Sequence, residues 1–320
     1  NFDFVNQLKL RGSYGEIGND RVDAYQHLQA FSFNDRYYFG GGVSPGIRPD
    51  VLPNPDITWE TAKKLDIGIE FGFLQRFTLE VDYFNERRTD LLIPRTGSIP
   101  YVSGIVNELG KPPIIPAENI GEVKNSGVEV QLGYHQTVGD FNVNLNGNFT
   151  YNKSEAIFLD DAAGIPDYQK RIGSPLGSQL LYRAIGVFRT AEDLTTYPSL
   201  PGNQLGDLIF QDVNNDGQIN ADDRVVIGDP FPRLMYGMNL TAGFKGFDFS
   251  LTFQGVGKRD VLATGDAIWA FQNAGKIQKW HTDYWTPENP DASYPRLVAT
   301  TSHNNFQNTD FWVFDASYLR

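Results

Sequence analysis

The segment Phe141–Asn152 alternates apolar and polar residues without interruption. Its odd positions are Phe141, Val143, Leu145, Gly147, Phe149 and Tyr151, and its even positions are Asn142, Asn144, Asn146, Asn148, Thr150 and Asn152. Because successive side chains of a β-strand point to opposite faces of the sheet, this period predicts a strand with one apolar face and one hydrogen-bonding face. Such a strand must separate an apolar environment from a wet one.

The same period recurs along the chain. It predicts strands over 7–14, 65–73, 77–83, 128–134, 141–152, 236–244 and 247–254, with a further strand beginning near Phe311. Tight turns are expected at 74–76, 137–140 and 245–246, where each joins two strands into an antiparallel hairpin. The sequence therefore predicts an all-β chain built from hairpins.

Alternation alone also fits a soluble β-sandwich, but two features favour a transmembrane antiparallel β-barrel. Several strands run to about 10 residues or more, as a tilted membrane strand requires. The tight turns also alternate with long segments at 17–60, 90–120, 153–232 and 258–310, as short periplasmic turns alternate with long extracellular loops in outer-membrane barrels. The strand-like segment 180–188 would break this alternation, so we place it outside the membrane. Eight spanning strands remain.

Composition limits the other classes of protein. No apolar run approaches the roughly 20 residues of a spanning helix, so a helical membrane protein is excluded. The chain has no cysteine, which excludes disulfides, thiolate metal sites and thiol catalysis. A net charge of −12 argues against a nucleic-acid partner. Residues 1–10 lack the basic start and apolar core of a signal peptide, so we expect a fragment whose targeting segment lies elsewhere.

One motif could carry metal chemistry. Oxygen-bearing residues follow the spacing of a calcium-binding loop, with Asp212, Asn214, Asp216, Gln218 (through its carbonyl), Asn220 and Asp223 as predicted ligands and Gly217 at the sharp turn. Calcium is a hard cation that prefers such oxygens, so Ca²⁺ is the predicted cofactor, and no organic cofactor is expected. Position 12 is Asp223 rather than glutamate, and no helices flank the loop. The alternative is an Asx-rich surface turn held by its own hydrogen bonds.

No catalytic residues emerge from the sequence. Gly42-Val-Ser44-Pro45-Gly46 spells a nucleophile elbow, but Pro45 lacks the N–H that the oxyanion hole of that site needs. The four histidines show no metal-ligand spacing. Tyrosines near strand ends fit an interfacial girdle, although they are also ordinary strand residues; they are Tyr14, Tyr83, Tyr134, Tyr151 and Tyr236. We expect a protein that is not an enzyme.

Several blocks, in order along the chain, resemble the SusC/RagA-type TonB-dependent receptors of Bacteroidetes. They are Asn54-Pro-Asp-Ile-Thr-Trp59-Glu60, Leu65-Asp-Ile-Gly-Ile-Glu70, Val81-Asp-Tyr83-Phe-Asn85, Thr89-Asp90-Leu-Leu92, Gly206-Asp-Leu-Ile-Phe-Gln-Asp212, Asp223-Arg-Val-Val-Ile-Gly228-Asp-Pro-Phe-Pro232, Trp285-Thr-Pro-Glu-Asn-Pro290, Pro295-Arg296-Leu297 and Phe314-Asp-Ala-Ser-Tyr-Leu-Arg320. The blocks together are specific, whereas no single block is.

This resemblance implies that residues 1–320 are part of a 22-stranded barrel in the cell outer membrane, without the plug, the TonB-box and the last strands. Residues 153–232 would form a large extracellular loop region. The implied function is TonB-dependent import of an oligomeric nutrient, a glycan or a peptide, with a SusD-like surface lipoprotein and TonB as partners and membrane lipid around the barrel. The alternatives are a passive porin or autotransporter barrel and a secreted calcium-binding β-sandwich adhesin.

Overall fold

In a computed structural model, which describes residues 4–99 and 114–320, eight strands form one antiparallel sheet that we call the wall. Its strands are β1 (Val5–Asn19), β4 (Glu60–Phe73), β5 (Phe77–Pro94), β6 (Ala117–Val138), β7 (Phe141–Phe158), β12 (Leu234–Phe244), β13 (Phe247–Val256) and β16 (Tyr318–Leu319), and they lie side by side in this order. Neighbouring strands pair antiparallel throughout. The predicted antiparallel strands are therefore confirmed.

The wall keeps the predicted alternation in three dimensions. Large apolar side chains stand exposed along one face; they include Leu8, Leu10, Ile67, Ile69, Phe149, Phe247, Phe249 and Leu251. In the described part of the chain no second sheet or helix layer covers this face, as a sandwich would require. An uncovered apolar face of this extent matches the lipid side of a barrel, and the opposite, polar face is then the lumen side.

Short turns and long connections alternate along the wall, as predicted. The three short turns are Leu74–Arg76, Gly139–Asp140 and Lys245–Gly246, and all lie at one end of the sheet. Lys245 and Gly246 both have positive φ, 46° and 86°, which is the backbone of a type I′ hairpin turn. Connections of about 20 to 75 residues lie at the other end.

The long connections contain small ribbons of their own, each with two strands. They are β2 (Phe31–Phe39) with β3 (Gly42–Pro49), β8 (Gln179–Leu181) with β11 (Val225–Ile227), β9 (Ala184–Val187) with β10 (Leu208–Phe210), and β14 (Asp260–Leu262) with β15 (Val313–Asp315). Segment 180–188 thus lies outside the wall, as predicted. The only α-helix among the described residues is a single turn, Asp193–Thr196.

Most strands are longer than the sequence predicts, as in β5, which continues to Pro94, and β6, which begins at Ala117. β7 continues as far as Phe158, so the long connection predicted to begin at residue 153 begins about six residues later. The strand expected near Phe311 starts instead with a 3₁₀ turn over Asp310–Trp312, and residues 313–315 pair with β14 rather than with the wall. Only Tyr318–Leu319 joins the wall there. Part of the predicted 90–120 loop, residues 100–113, lies outside the described residues.

Two clusters of buried hydrophobic residues lie in the long connections outside the wall. One cluster gathers Tyr182, Leu208, Phe210 and Ile219, and a second gathers Trp269, Ala270, Tyr294 and Trp312. Phe311 packs against both clusters, so the segments around 180–220 and 262–312 form one assembly, which we call the loop assembly. Hydrogen bonds between neighbouring strands stabilise the wall, whereas burial of apolar side chains stabilises the loop assembly.

Among the described residues no helix is both long and apolar enough to cross a bilayer.

The close approach of wall strands at Gly127 generates a prediction. A Cβ at Gly127 would lie 2.1 Å from the Tyr151 carbonyl oxygen and 2.6 Å from the Phe84 ring. Gly127→Ala should therefore lower the free energy of unfolding by about 1–3 kcal/mol, because a backbone atom cannot yield cheaply. The measurement is the denaturant midpoint of the intact receptor refolded in detergent.

Gly147→Ala is the matched control, since a Cβ at Gly147 would meet its nearest atom, the Gly237 carbonyl oxygen, only at 3.8 Å. Equal midpoints for the two variants would contradict the packing of β6 against β7.

Candidate functional site

The polar face of the wall is an amide-rich surface on β7, β12 and β13. Strand pairing sets Asn146 opposite Asn239, and Asn239 opposite Thr252. A concavity of about 490 Å³ opens over this surface. Its polar side chains are all uncharged; they are Gln131, Asn146, Asn148, Thr150, Asn239, Thr252 and Gln254. This surface, which we call the amide face, can donate and accept hydrogen bonds without attracting ions.

Glycines on neighbouring strands make room for these amides. A Cβ at Gly237 would lie 2.7 Å from the Asn148 side-chain oxygen, and a Cβ at Gly243 would lie 2.5 Å from the Asn142 side-chain nitrogen. The asparagine side chains therefore lie flat over β12 instead of standing off it. The amide face is smooth for this reason.

The other half of the polar face, on β1, β4 and β5, is charged. The Arg11 guanidinium binds both carboxylate oxygens of the largely buried Asp82, with Nε 3.0 Å from Oδ1. Arg11 also lies 3.4 Å from Glu70, which accepts a hydrogen bond from Lys9 at 2.9 Å. Bidentate arginine–carboxylate pairs fix geometry as well as charge. Ion pairs thus lie on β1, β4 and β5, whereas the polar side chains that line the concavity are uncharged.

The loop assembly is joined by one buried ion pair. Arg296 Nε lies 2.6 Å from Asp207 Oδ1, and Arg296 Nη2 lies 3.2 Å from Asp207 Oδ2. The Asp207 side chain is fully buried, and it also accepts hydrogen bonds from the Gln204 backbone and the Asn305 amide. The Arg296 backbone donates to the Gly206 carbonyl oxygen at 2.8 Å. Segments that are about 90 residues apart are therefore fixed at one point.

Gly206 is required at this junction. Its φ of +88° favours glycine, and a Cβ there would lie 2.3 Å from the Trp285 ring and 2.8 Å from Arg296. The Gly206-Asp207, Trp285 and Arg296 blocks that carried the family resemblance thus meet in space. Their sequence spacing gave no sign of this contact, because the pairing depends on how two long loops return to each other.

His303 completes the junction as a neutral ring. Burial lowers its pKa below the ordinary histidine value; the Asp207 carboxylate opposes this and the Arg296 cation adds to it. Arg296 Nη2 lies 2.9 Å from Nε2, and the Asn305 backbone N–H donates to Nδ1. If the ring gained a second proton, neither ring nitrogen could accept a hydrogen bond. The contribution of His303 to stability is therefore complete above about pH 6.5 and is lost as the pH falls through its lowered pKa.

The predicted calcium loop is an ordered turn in the structure. The Asp212 carboxylate accepts hydrogen bonds from the backbone N–H groups of Asp216 and Gly217, at 3.2 and 2.9 Å. The fully buried Asp223 accepts from Val213 and Asn220, both at 2.9 Å, and so closes the loop. This network matches the Asx-turn alternative.

The same oxygens retain some capacity for a cation. An ionised carboxylate has about four lone-pair sites, so its oxygens can accept an N–H and still face an ion. Among the described residues, however, no group of three or more His, Asp or Glu side chains is arranged to hold a metal. Asp212, Asn214, Asp216, Gln218, Asn220 and Asp223 lie on one loop, and calcium binding by them stays a prediction.

The wall has an apolar outer face and a polar inner face, and short turns at one end alternate with long connections at the other. These features define the class of outer-membrane β-barrels. The family described as TonB dependent receptor-like, beta-barrel, matches residues 1–319. The chain belongs to this family. The predicted barrel class and outer-membrane location are thereby confirmed, and the sandwich adhesin alternative is wrong.

Similar proteins agree with this assignment. TonB-dependent receptor P26 of Formosa agariphila is 28% identical over 334 residues, which cover 100% of this chain and 32% of that protein. TonB-dependent receptor SusC of Bacteroides thetaiotaomicron is 26% identical over 264 residues, which cover 78% of this chain and 25% of that protein. A structure of the RagAB peptide transporter matches with a TM-score of 0.70 at 23% identity, over 100% of this chain and 34% of that chain. The chain spans about a third of the length of P26 and of the RagAB chain.

The buried pair in the loop assembly generates a second prediction. Arg296→Ala should destabilise the assembly locally by about 3–5 kcal/mol, because it leaves the Asp207 carboxylate buried without its counter-charge. Hydrogen exchange at the Leu208 amide, which donates to Asn305 Oδ1 at 3.0 Å, reports this opening in the intact receptor.

Arg189→Ala serves as the control, since its pair with Asp291 is solvent-exposed and should contribute less than about 1 kcal/mol. Similar exchange rates in the two variants would show that the buried pair does not hold the assembly.

The calcium prediction has its own test. In the parent protein, Ca²⁺ should slow proteolysis within 205–230 relative to chelator, and Asp212→Ala/Asp216→Ala should remove that difference. Asp222→Ala, which removes an exposed carboxylate outside the ligand pattern, should preserve it. Proteolysis of the parent at the same rate with Ca²⁺ and with chelator would refute calcium binding.

Proposed function

We propose that the intact protein imports an oligomeric, hydrogen-bonding nutrient, a glycan or a peptide, across the outer membrane. The amide face is the observation that carries this proposal. Sugar hydroxyls and peptide groups both exchange hydrogen bonds with amides, and an uncharged wall lets them slide from one partner to the next without a strongly bound intermediate. Import in this form moves a plug and breaks no covalent bond, so the protein is not an enzyme.

We also propose that TonB energises this import and that a SusD-like surface lipoprotein acts as partner at the long-loop end of the wall. Support comes from the likeness to SusC and to the chain of the RagAB peptide transporter. The rigid loop assembly offers a fixed surface at that end. A passive porin or autotransporter barrel, the remaining alternative, would need neither partner.

The amide face can be tested by adding charge to it. Asn146→Asp/Asn239→Asp places two carboxylates opposite each other across β7 and β12. In cells that carry the intact receptor, uptake of a neutral labelled oligosaccharide or peptide should fall several-fold at unchanged receptor abundance. Asn142→Asp, on the same face of β7 but outside the concavity, should leave uptake near the parent rate.

Depletion of TonB separates import from passive flow. Uptake that continues undiminished without TonB would refute active import and favour the porin. Equal uptake by the double variant and the parent would show instead that the amide face does not border the path.

A further inference from the structure

A small pocket opens on the lumen side of the wall, beyond the amide face towards the long-loop end. It lies between strands β5, β6 and β7 and two residues of the long connections, Leu176 and Phe231, and its volume is about 260 Å³. We call it the upper pocket. Sites that enclose a whole small ligand have roughly 300–1,000 Å³, so the upper pocket suits one unit at the end of a longer ligand.

Strand register places the polar lining of the upper pocket on the lumen side. Asn125 of β6 lies opposite Glu86 of β5 and opposite Ser154 of β7, and all three line the pocket. Asn152 has the same position parity as Asn146 of the amide face and is nearer the long-loop end of β7. A ligand that follows the lumen side of β7 would therefore meet both surfaces in turn.

Two side-chain amides of the upper pocket hold buried oxygens without partners. Asn125 Oδ1 and Asn152 Oδ1 are both buried, and neither accepts a hydrogen bond from any residue of 4–99 or 114–320. A buried acceptor without a donor is costly, and native proteins keep few of them. A ligand that brings its own N–H groups would satisfy both oxygens.

The upper pocket also contains an arginine whose donors are only partly used. Arg88 Nε donates to Glu86 Oε1, and this is the only ion pair of Arg88 in the described part of the chain. Lys64 Nζ lies 3.3 Å from the other oxygen of Glu86, so two cations share one carboxylate. The excess positive charge attracts an anion. The Nη groups of Arg88 can bind a carboxylate through two parallel hydrogen bonds.

Apolar side chains form the rest of the upper pocket. They are Leu91 and Val123 of the wall and Leu176 and Phe231 of the connections. A sugar unit held here would lose hydrogen bonds, because aliphatic side chains cannot replace the water around its hydroxyls. The last residue of a peptide presents an aliphatic side chain, a backbone N–H and a carboxylate close together, and each of these has a counterpart in the pocket.

We propose that the upper pocket binds the C-terminal residue of a peptide, with preference for an aliphatic side chain. Arg88 binds the terminal carboxylate, and the last two backbone N–H groups donate to Asn125 and Asn152. The aliphatic side chain packs against Leu91 and Leu176. This inference rests on the proposed import, and it narrows the cargo from a glycan or a peptide to a peptide with a free C terminus.

The test measures binding to the intact receptor in detergent, so it needs neither TonB nor a partner protein. Fluorescence anisotropy gives the affinity for a labelled tetrapeptide that ends in leucine. The same peptide with an amidated C terminus and a labelled neutral tetrasaccharide are measured beside it. Arg88→Gln removes the carboxylate-binding group while Lys64 still pairs with Glu86. Arg87→Gln is the matched control, because Arg87 lies one position along and pairs with Glu122 on the outer face.

Arg88→Gln should bind the leucine peptide roughly 10-fold more weakly, and Arg87→Gln should bind it like the parent. The parent should bind the amidated peptide about as weakly as Arg88→Gln binds the free acid, and the tetrasaccharide more weakly still. Equal losses in the two variants would overturn the proposal. So would equal affinity of the parent for the free and amidated peptides, a comparison that needs no variant, or tighter binding of the tetrasaccharide.

Asn125→Leu tests the unpartnered acceptors. Asn125 Oδ1 bonds no group among the described residues, so the denaturant midpoint of this variant should not fall below that of the parent. Its affinity for the leucine peptide should nevertheless fall several-fold, and an unchanged affinity would overturn the proposal.

Failure of this inference is distinguishable from failure of the proposed import. Uptake that depends on TonB while the peptide preferences are absent would overturn the upper pocket alone. Peptide preferences that persist while uptake continues without TonB would overturn active import alone.

Discussion

The structure depends on one constraint: in a wall that faces lipid, every backbone N–H and C=O must find its partner within the sheet. Lateral strand pairing supplies these partners along β4 to β7 and along β12, each of which has a neighbour on both sides, whereas β1 lies at an edge of the wall and β13 pairs with β16 over two residues. The strands are therefore long, with up to 22 residues in β6, and their side chains need no covering layer. Among the described residues, the buried clusters lie where the chain leaves the wall, in the loop assembly.

The same pairing sorts side-chain chemistry on each face. On the lumen side, Arg11, Asp82 and Glu70 come together in one half, whereas the asparagines of β7 and β12 come together in the other. On the outer side, Lys63, Arg87 and Lys124 lie opposite one another on β4, β5 and β6, beyond the apolar positions of these strands. A single β-period thus places amide groups, ion pairs and apolar side chains on separate surfaces of one sheet.

The sequence predicted the wall well because its signal is local. Period-two alternation located all the long strands, and the turns at 74–76, 139–140 and 245–246 followed from the gaps between them. Strand ends were missed where polar residues continue past the apolar band, as in residues 153–158 of β7. Beyond the membrane level the outer face meets water, so alternation ceases while pairing continues. Near Phe311 a strand-like stretch belongs mostly to the loop assembly, because Trp312 is buried there.

The sequence by itself determined the two-faced strands, their order in hairpins and the chemistry of each face, since side-chain direction in a strand depends only on position parity. Only the tertiary structure decided which residues from distant segments meet. Asp207 and Arg296 form one buried pair although two loops separate them, and Asp223 closes its loop by binding backbone N–H groups. Likewise, Lys63, Arg87 and Lys124 became one row only through strand register. Strand register and the contacts between distant loops depend on residues far apart in the chain, so no local sequence pattern encodes them.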